Sequence, residues 1–382
     1  MRILMIHPHD IFSYSEPWTS RIVHLANELI KRGEEVKVVY FPIKEEEMNW
    51  KDLPFSAIPL DRGRGWVVFF KNLLKLIKLC MWAEVVHFQK CFHYSALPAV
   101  IAAWLTGRPI HYDWDDWEYK IYHADVPPSR LVGRFMGIIE NNLPYLVETI
   151  SVSSQNLFNL ARNLGVKEER IFRAPVGADL ELFHPGIPAG HIREKWGVKD
   201  ILVMYMGQLH GGQYAQLFIE AAALLKAKYP EVTFMIVGGG YKEKFLREYS
   251  EKLRAHVIIT GFIPHEEVPV YINAADICVA CFEDNEITRS KSPLKIVEYM
   301  ACGKPVVASD VGEVRGMLGD AGILVPPGDA KALAEGIEKL LGNPGEREKL
   351  GKRGRERVEK IYNWGNTAEN LRRAYQKALY GK

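Results

Sequence analysis

The chain has 382 residues, 48% apolar and 25% charged, with 49 lysines and arginines against 47 aspartates and glutamates. That length exceeds one ordinary core and predicts two domains of roughly 150 to 200 residues each, and the balanced charge gives no reason to expect a nucleic-acid partner. No uncharged apolar run reaches the roughly 18 residues of a membrane span, and the opening RILMIHP lacks a signal-peptide pattern, so a cytoplasmic location is expected.

The first half alternates short apolar runs with amphipathic segments. RILMIHP reads as a strand, TSRIVHLANELIKRG as a helix ending at Gly33, and EEVKVVYF as a strand. A lysine-studded helix follows around residues 70–81, then strand EVVHFQ, helix ALPAVIAAWLTG and strand PIHYDW. YLVETISVS and RIFRAPVG add strands on either side of helix QNLFNLARNLG. The second half repeats this grammar from DILVMYMG through VTFMIVGGG, HVIITGF, DICVACF and PVVAS to GILVPP. Strands alternating with helices of this length predict an α/β fold of two doubly wound, Rossmann-like parallel sheets. Pro and Gly cluster in HPGIPAGHIREKWGVKD, which reads as the linker. The expected domains are therefore 1–185 and 186–365, with a last helix at 366–382 crossing back to the first domain.

The five cysteines read as reduced, buried thiols. Cys278 and Cys281 form a C-x-x-C, but no second pair or histidine stands at zinc spacing; redox or metal chemistry is the alternative there.

Three stretches carry candidate chemistry. In MYMGQLHGGQYAQLFIEA, Gly207, Gly211 and Gly212 permit a tight turn before a helix, which serves either a phosphate or plain packing. IVGGGYKEKF has the same shape without the spacing of a nicotinamide site. In RSKSPLKIVEYMACGKPVVASD, Pro293 suits a helix start, and Lys295 and Glu298 share one face. That pair is either a local ion pair or two parts of a nucleotide grip, cation and amides for diphosphate and carboxylate for ribose. In GWVVFFKNLLKLIKLCMW, Lys71, Lys75 and Lys78 share a helical face among bulky apolar residues. Either a solvated face or peripheral contact with an anionic membrane on its inner side accounts for it.

SPLKIVEYMACGKPVVASDVG resembles the donor motif of the family 4 retaining glycosyltransferases, also called group 1, which have the GT-B fold of two Rossmann-like domains facing across a cleft. The resemblance continues through GFIPHEEVPVYINAADICV, AGILVPPGDAKALAEGIEKLL and YNWGNTAENLRRAYQKAL, and more sparsely upstream in ISVSSQNL and APVGADLELFHP. It implies transfer of a sugar from a nucleotide-diphosphate sugar to an acceptor with retention, in glycan or glycolipid synthesis, without metal or other cofactor. UDP-sugar is favoured, with GDP- and ADP-sugars as alternatives; the acceptor would be a sugar, glycolipid or small molecule.

By that resemblance Glu298 holds the donor ribose, Gly261, Phe262 and Ile263 read the base, and Ser292, Pro293, Leu294 and Lys295 lie against the phosphates. Gly207, Gln208, His210 and Gln213 belong to the donor loop, with Arg289 and Ser290 at its approach. The family's first motif glutamate falls on Ser290, leaving Glu283, Asp284 or Glu286 as substitutes. Gln208 and Gln213 stand where the family has Arg and Lys, so Lys295, helped by Arg289 or Lys291, is the expected replacement for charge on the leaving group. On the acceptor side the family's histidine is replaced by Asp115, grouped with Lys295 and Glu298 as catalytic. Tyr14, Glu16, Trp18, Asp113, Trp114 and Asp116 are the expected acceptor neighbours, and Trp114, Trp117, Tyr119 and Tyr122 suit either stacking on a sugar ring or ordinary core packing. These departures leave two alternatives: a non-catalytic nucleotide-binding protein, or a nucleotide-sugar epimerase or hydrolase.

Overall fold

The computed structural model describes residues 1–13, 17–43, 53–63, 65–125, 129–210 and 214–381. They form two compact units, one of Met1–His123, Pro127–Val176 and Trp364–Lys382, the other of Gly177–Asn363 with Ala124–Val126.

The first unit contains strands β1 (Arg2–Ile6), β2 (Glu35–Tyr40), β3 (Ser56–Pro59), β4 (Val85–Gln89), β5 (Ile110–Trp114), β6 (Thr149–Val152) and β7 (Ile171–Arg173). They pair in parallel in the order β3-β2-β1-β4-β5-β6-β7. Every residue of β4, β5 and β6 is buried, as expected where helices cover both faces of a parallel sheet. Helices α1 (Pro17–Lys31), α2 (Trp66–Trp82), α3 (His93–Thr106) and α4 (Arg130–Asn142) supply that cover. The C-terminal helix Trp364–Tyr380 also belongs to this unit: Thr367 donates to Pro175 O at 2.9 Å, and Tyr375 OH meets His87 Nδ1 at 2.9 Å.

The second unit has β8 (Leu202–Met206), β9 (Thr233–Val237), β10 (Ile258–Ile259), β11 (Ile277–Ala280), β12 (Val306–Ser309) and β13 (Gly322–Val325). All are parallel, in the order β10-β9-β8-β11-β12-β13. In each unit the strand order reverses once, between β1 and β4 and between β8 and β11. Ligands of open α/β sheets bind beyond the strand C-termini at such points.

Several elements depart from the sequence reading. Residues 184–200 are not a linker, because helix Gly190–Lys195 packs within the second unit. Its Arg193 bonds Ala274 O at 2.7 Å and Asp276 at 3.0 Å. Strand β3 is a four-residue edge strand with two exposed positions and hence little apolar signal. Helix α4 was hidden by Gly133 and Gly137, whose lack of a side chain admits His123 and Tyr119; a Cβ would lie 2.6 Å and 2.8 Å from those rings. All five cysteines are buried and unbridged. Among the described residues no helix is long and apolar enough to cross a membrane.

Candidate functional site

In the second unit, three loops meet at the C-terminal ends of β8, β9 and β10. Gly207 N bonds Val237 O at 3.0 Å, Leu209 N bonds Gly239 O at 2.9 Å, and Gly238 pairs with Gly261 as an isolated bridge. This closeness demands glycine. A Cβ on Gly238 would stand 2.0 Å from Gly207 O, and one on Gly239 would stand 2.8 Å from Phe262 N. IVGGG is therefore the packing partner that fixes the donor-loop candidates Gly207 and Gln208, and it adjoins Gly261 and Phe262 as well. His210 stacks on Tyr241 with centroids 5.2 Å apart. Phe262 is exposed at 69% and Ile263 half-buried. Gln213 lies outside the described residues.

Helix α5 (Glu286–Ser290) and helix α6 (Leu294–Ala301) carry the remaining donor candidates. Pro293 is the N-cap of α6 rather than its first residue, and no side chain caps that helix. The first-turn amides of Leu294 and Lys295 are thus not taken by a cap, and the positive end of the helix is open to an anion. The Lys295 stem is partly exposed, but its Nζ is enclosed and has no hydrogen-bond partner among the described residues. It lies 4.2 Å from the Tyr205 ring centroid and 2.8 Å from where a Cβ on Gly207 would sit. Burial lowers its pKa to about 8, only partly offset by Cys281 and Glu298. One turn on, Glu298 is buried, and desolvation pushes its carboxyl up to about 8 despite Lys295. Burial disfavours the charge on both groups, and Lys295 Nζ makes no hydrogen bond to Glu298, so a simple ion pair does not describe them. Tyr299 behind them fixes the strand end, accepting from Met206 N at 2.7 Å.

Arg289 and Asp284, one expected cation and one expected carboxylate, engage each other. Arg289 grips Asp284 through two bonds of 2.6 Å and 2.8 Å, which takes both from the site they were expected to serve. Ser290 is buried and donates to Glu286 O at 2.7 Å, closing α5 instead of presenting its hydroxyl. Ser292 Oγ meets Met317 Sδ at 3.9 Å. Lys295 is thus the enclosed cation of this loop cluster.

The first unit gathers a second cluster beyond β1, β4 and β5. Lys90, in the left-handed region at φ 67°, buries its ammonium among Glu118 at 2.6 Å, Asp116 at 2.9 Å and Asp115 at 3.3 Å. Gln89 Nε2 donates to Asp115 at 3.1 Å, and Gln89 Oε1 meets His7 Nδ1 at 2.9 Å. Trp18 lies over His9 at 4.7 Å and beside Phe92 at 5.7 Å. Asp115 is the farthest of the three carboxylates from Lys90. Burial therefore wins, and its pKa is pushed up to about 7, against Lys90 and with help from Asp116 and Asp113.

Two acceptor-side expectations fail. Asp113 is fully buried, held by Arg21 at 2.7 Å and 2.8 Å and by Ser151 at 2.5 Å. Trp114 is fully buried with Nε1 on Glu140 at 2.9 Å. Both sit within β5, whose two faces are covered, so neither reaches the surface. Trp18 and Asp116 remain partly exposed, while Tyr14 and Glu16 lie outside the described residues. Sequence reasoning missed Lys90, Gln89, His7 and His9; their signal was position, directly after β4 and β1 at the strand-order reversal.

Residues 190–357 match the family model described as Glycosyl transferases group 1. The chain is 32% identical over 164 residues to the alpha-D-kanosaminyltransferase of Streptomyces kanamyceticus, covering 42% of this chain and 41% of that protein, so less than half of that relative is matched. It is 26% identical over 307 residues to the MMP alpha-(1->4)-mannosyltransferase of Mycolicibacterium hassiacum, covering 78% of this chain and 71% of that one. Among solved structures, Anabaena HepE in complex with UDP and glucose aligns with a TM-score of 0.78 at 17% identity, over 99% of this chain and all of that one. These likenesses show that the two parallel sheets are those of the GT-B fold.

Proposed function

We propose that this chain, whose residues 190–357 match the group 1 glycosyl transferases, moves a sugar from a nucleoside diphosphate sugar to an acceptor hydroxyl, with retention and without a metal. The observation that carries the reading is Lys295: an enclosed ammonium that, among the described residues, has no hydrogen-bond partner, beside Gly207 and at the uncapped start of α6. Such a group is costly unless a ligand supplies the anion, and a diphosphate does so.

In the reaction the bond from the anomeric carbon to the diphosphate oxygen breaks, a bond to the acceptor oxygen forms on the same face, and the hydroxyl proton passes to the departing diphosphate oxygen. Charge collects on the departing diphosphate. In this reading Lys295 Nζ and the amides of Leu294 and Lys295 stabilise it, a contribution worth about a hundredfold per preorganised contact. Glu298 takes the ribose hydroxyls. Asp115, whose carboxyl pKa is raised by burial, accepts the hydrogen bond of the acceptor hydroxyl and orients it. UDP-sugar is the favoured donor; HepE was solved with UDP and glucose.

Proton NMR of the protein with UDP-glucose and candidate sugar acceptors tests the proposal: a product with the donor's anomeric configuration supports it, and an inverted product overturns retention. The engagement of Arg289 by Asp284 and of Ser290 by Glu286 O favours a second reading, a nucleotide-binding protein without turnover. UDP binding with no product from any donor and acceptor would support that one.

A further inference from the structure

Helices α2 and α4 flank α3 on one face of the first sheet. All three feed one hydrophobic core; α2 packs on α3, and His93 of α3 meets Phe135 of α4 at 5.9 Å. Their outward sides are unusual for a surface. On α2, Phe70, Leu74 and Met81 are exposed, Leu74 at 63%. At about 100° per residue these three fall within about 40° of one another. Lys71, Lys75 and Lys78 run alongside, also exposed. On α4 the pattern recurs: Leu131, Phe135 and Ile138 are exposed, Leu131 at 81%, with Arg130 and Arg134 along one edge.

Neither α2 nor α3 contains a carboxylate, and the only one on α4, Glu140, is fully buried. Each outer stripe therefore pairs bulky apolar side chains with cations and nothing of opposite sign. Asp61, which precedes α2, pairs with Lys71 at 2.6 Å and also lies near enough to act on Lys75. A protein partner would have to match two separate apolar stripes and their basic borders. An anionic phospholipid surface matches both at once, taking the apolar side chains below the headgroups and the cations among the phosphates.

The geometry points to the α2–α4 face as a docking surface for an anionic bilayer, with α2 and α4 lying in the interface. This rests on the first unit's surface alone, so nucleotide binding can fail while it stands.

The test is co-sedimentation of the full chain with vesicles of phosphatidylcholine and phosphatidylserine, against phosphatidylcholine alone. Binding is expected to the anionic vesicles and to fall as salt is raised. Leu74→Glu with Leu131→Glu, both at exposed positions, should weaken it about a hundredfold, as should Lys71→Gln, Lys75→Gln and Lys78→Gln together. An unchanged thermal midpoint in each variant shows that the fold is kept. Three results overturn the inference: no binding to anionic vesicles, equal binding to neutral ones, or vesicle binding unchanged in the Leu variant while a wild-type dimer seen by sedimentation velocity dissociates. The last would make the face a contact between copies of this chain.

Discussion

Replacing Lys295 by Met should make the unliganded protein more stable while destroying its nucleotide site. In the folded chain the amine is moved from 10.5 down to about 8, chiefly by burial. At pH 7 that corresponds to about 3 kcal/mol held against folding. The Tyr205 face at 4.2 Å returns about 1 kcal/mol of it, so Lys295→Met should gain about 2 kcal/mol in urea denaturation at pH 7. The sign follows from the direction of the shift: a depressed lysine pKa penalises folding fully below about 8, and the penalty fades as pH rises from there toward 10.5. The variant's advantage should therefore shrink between pH 8 and pH 10. Added UDP should reverse the order. At a hundredfold excess over its dissociation constant UDP stabilises wild type by about 2.7 kcal/mol, and it should leave Lys295→Met unchanged. A variant less stable than wild type, or one stabilised equally by UDP, would refute the reasoning.

Other outcomes follow from the two clusters. If Asp115 orients the acceptor as a carboxylate, transfer should rise with pH through about 7, and Asp115→Asn should lower kcat about a hundredfold and flatten the profile. Lys90→Met removes the cation that holds the Asp115 pKa down, so the rise in the pH–rate profile should move alkaline; a profile that stays in place would show that Lys90 is structural only. Gly238→Ala forces a Cβ to 2.0 Å from Gly207 O at a φ of 143°, and should cost more than about 2 kcal/mol in denaturation and weaken UDP binding. Wild-type stability in that variant would contradict the tight loop packing.

The repeating strand and helix pattern was legible because both sheets are parallel and covered on both faces, which makes strands near-continuous apolar runs. The same property misled the acceptor side. In DWDD, nothing in the alternation separates Asp113, sealed against Arg21, from Asp115 at the strand end. The Lys295–Glu298 spacing was readable as one helical turn, but its enclosed, partnerless ammonium was not, because Tyr205 and Gly207 come from a strand about 90 residues earlier. Lys90 escaped for a similar reason: its partners Asp115, Asp116 and Glu118 reach it from the turn and the helix start that follow the neighbouring strand. Arg289 and Ser290 were expected at the donor and are spent locally on Asp284 and the carbonyl of Glu286, contacts within five residues that a short helix imposes. Its sequence signal was the capping box of Asn285 and Thr288, which sequence reasoning passed over.

The most direct test of the nucleotide grip is calorimetric titration of UDP, GDP and ADP into wild type and Glu298→Ala at pH 7. The account predicts that wild type binds one of the three, UDP being favoured, and that Glu298→Ala weakens that nucleotide about tenfold or more, as loss of a buried hydrogen-bonding partner does. No heat with any nucleotide, or an affinity in Glu298→Ala equal to that of wild type, would contradict it.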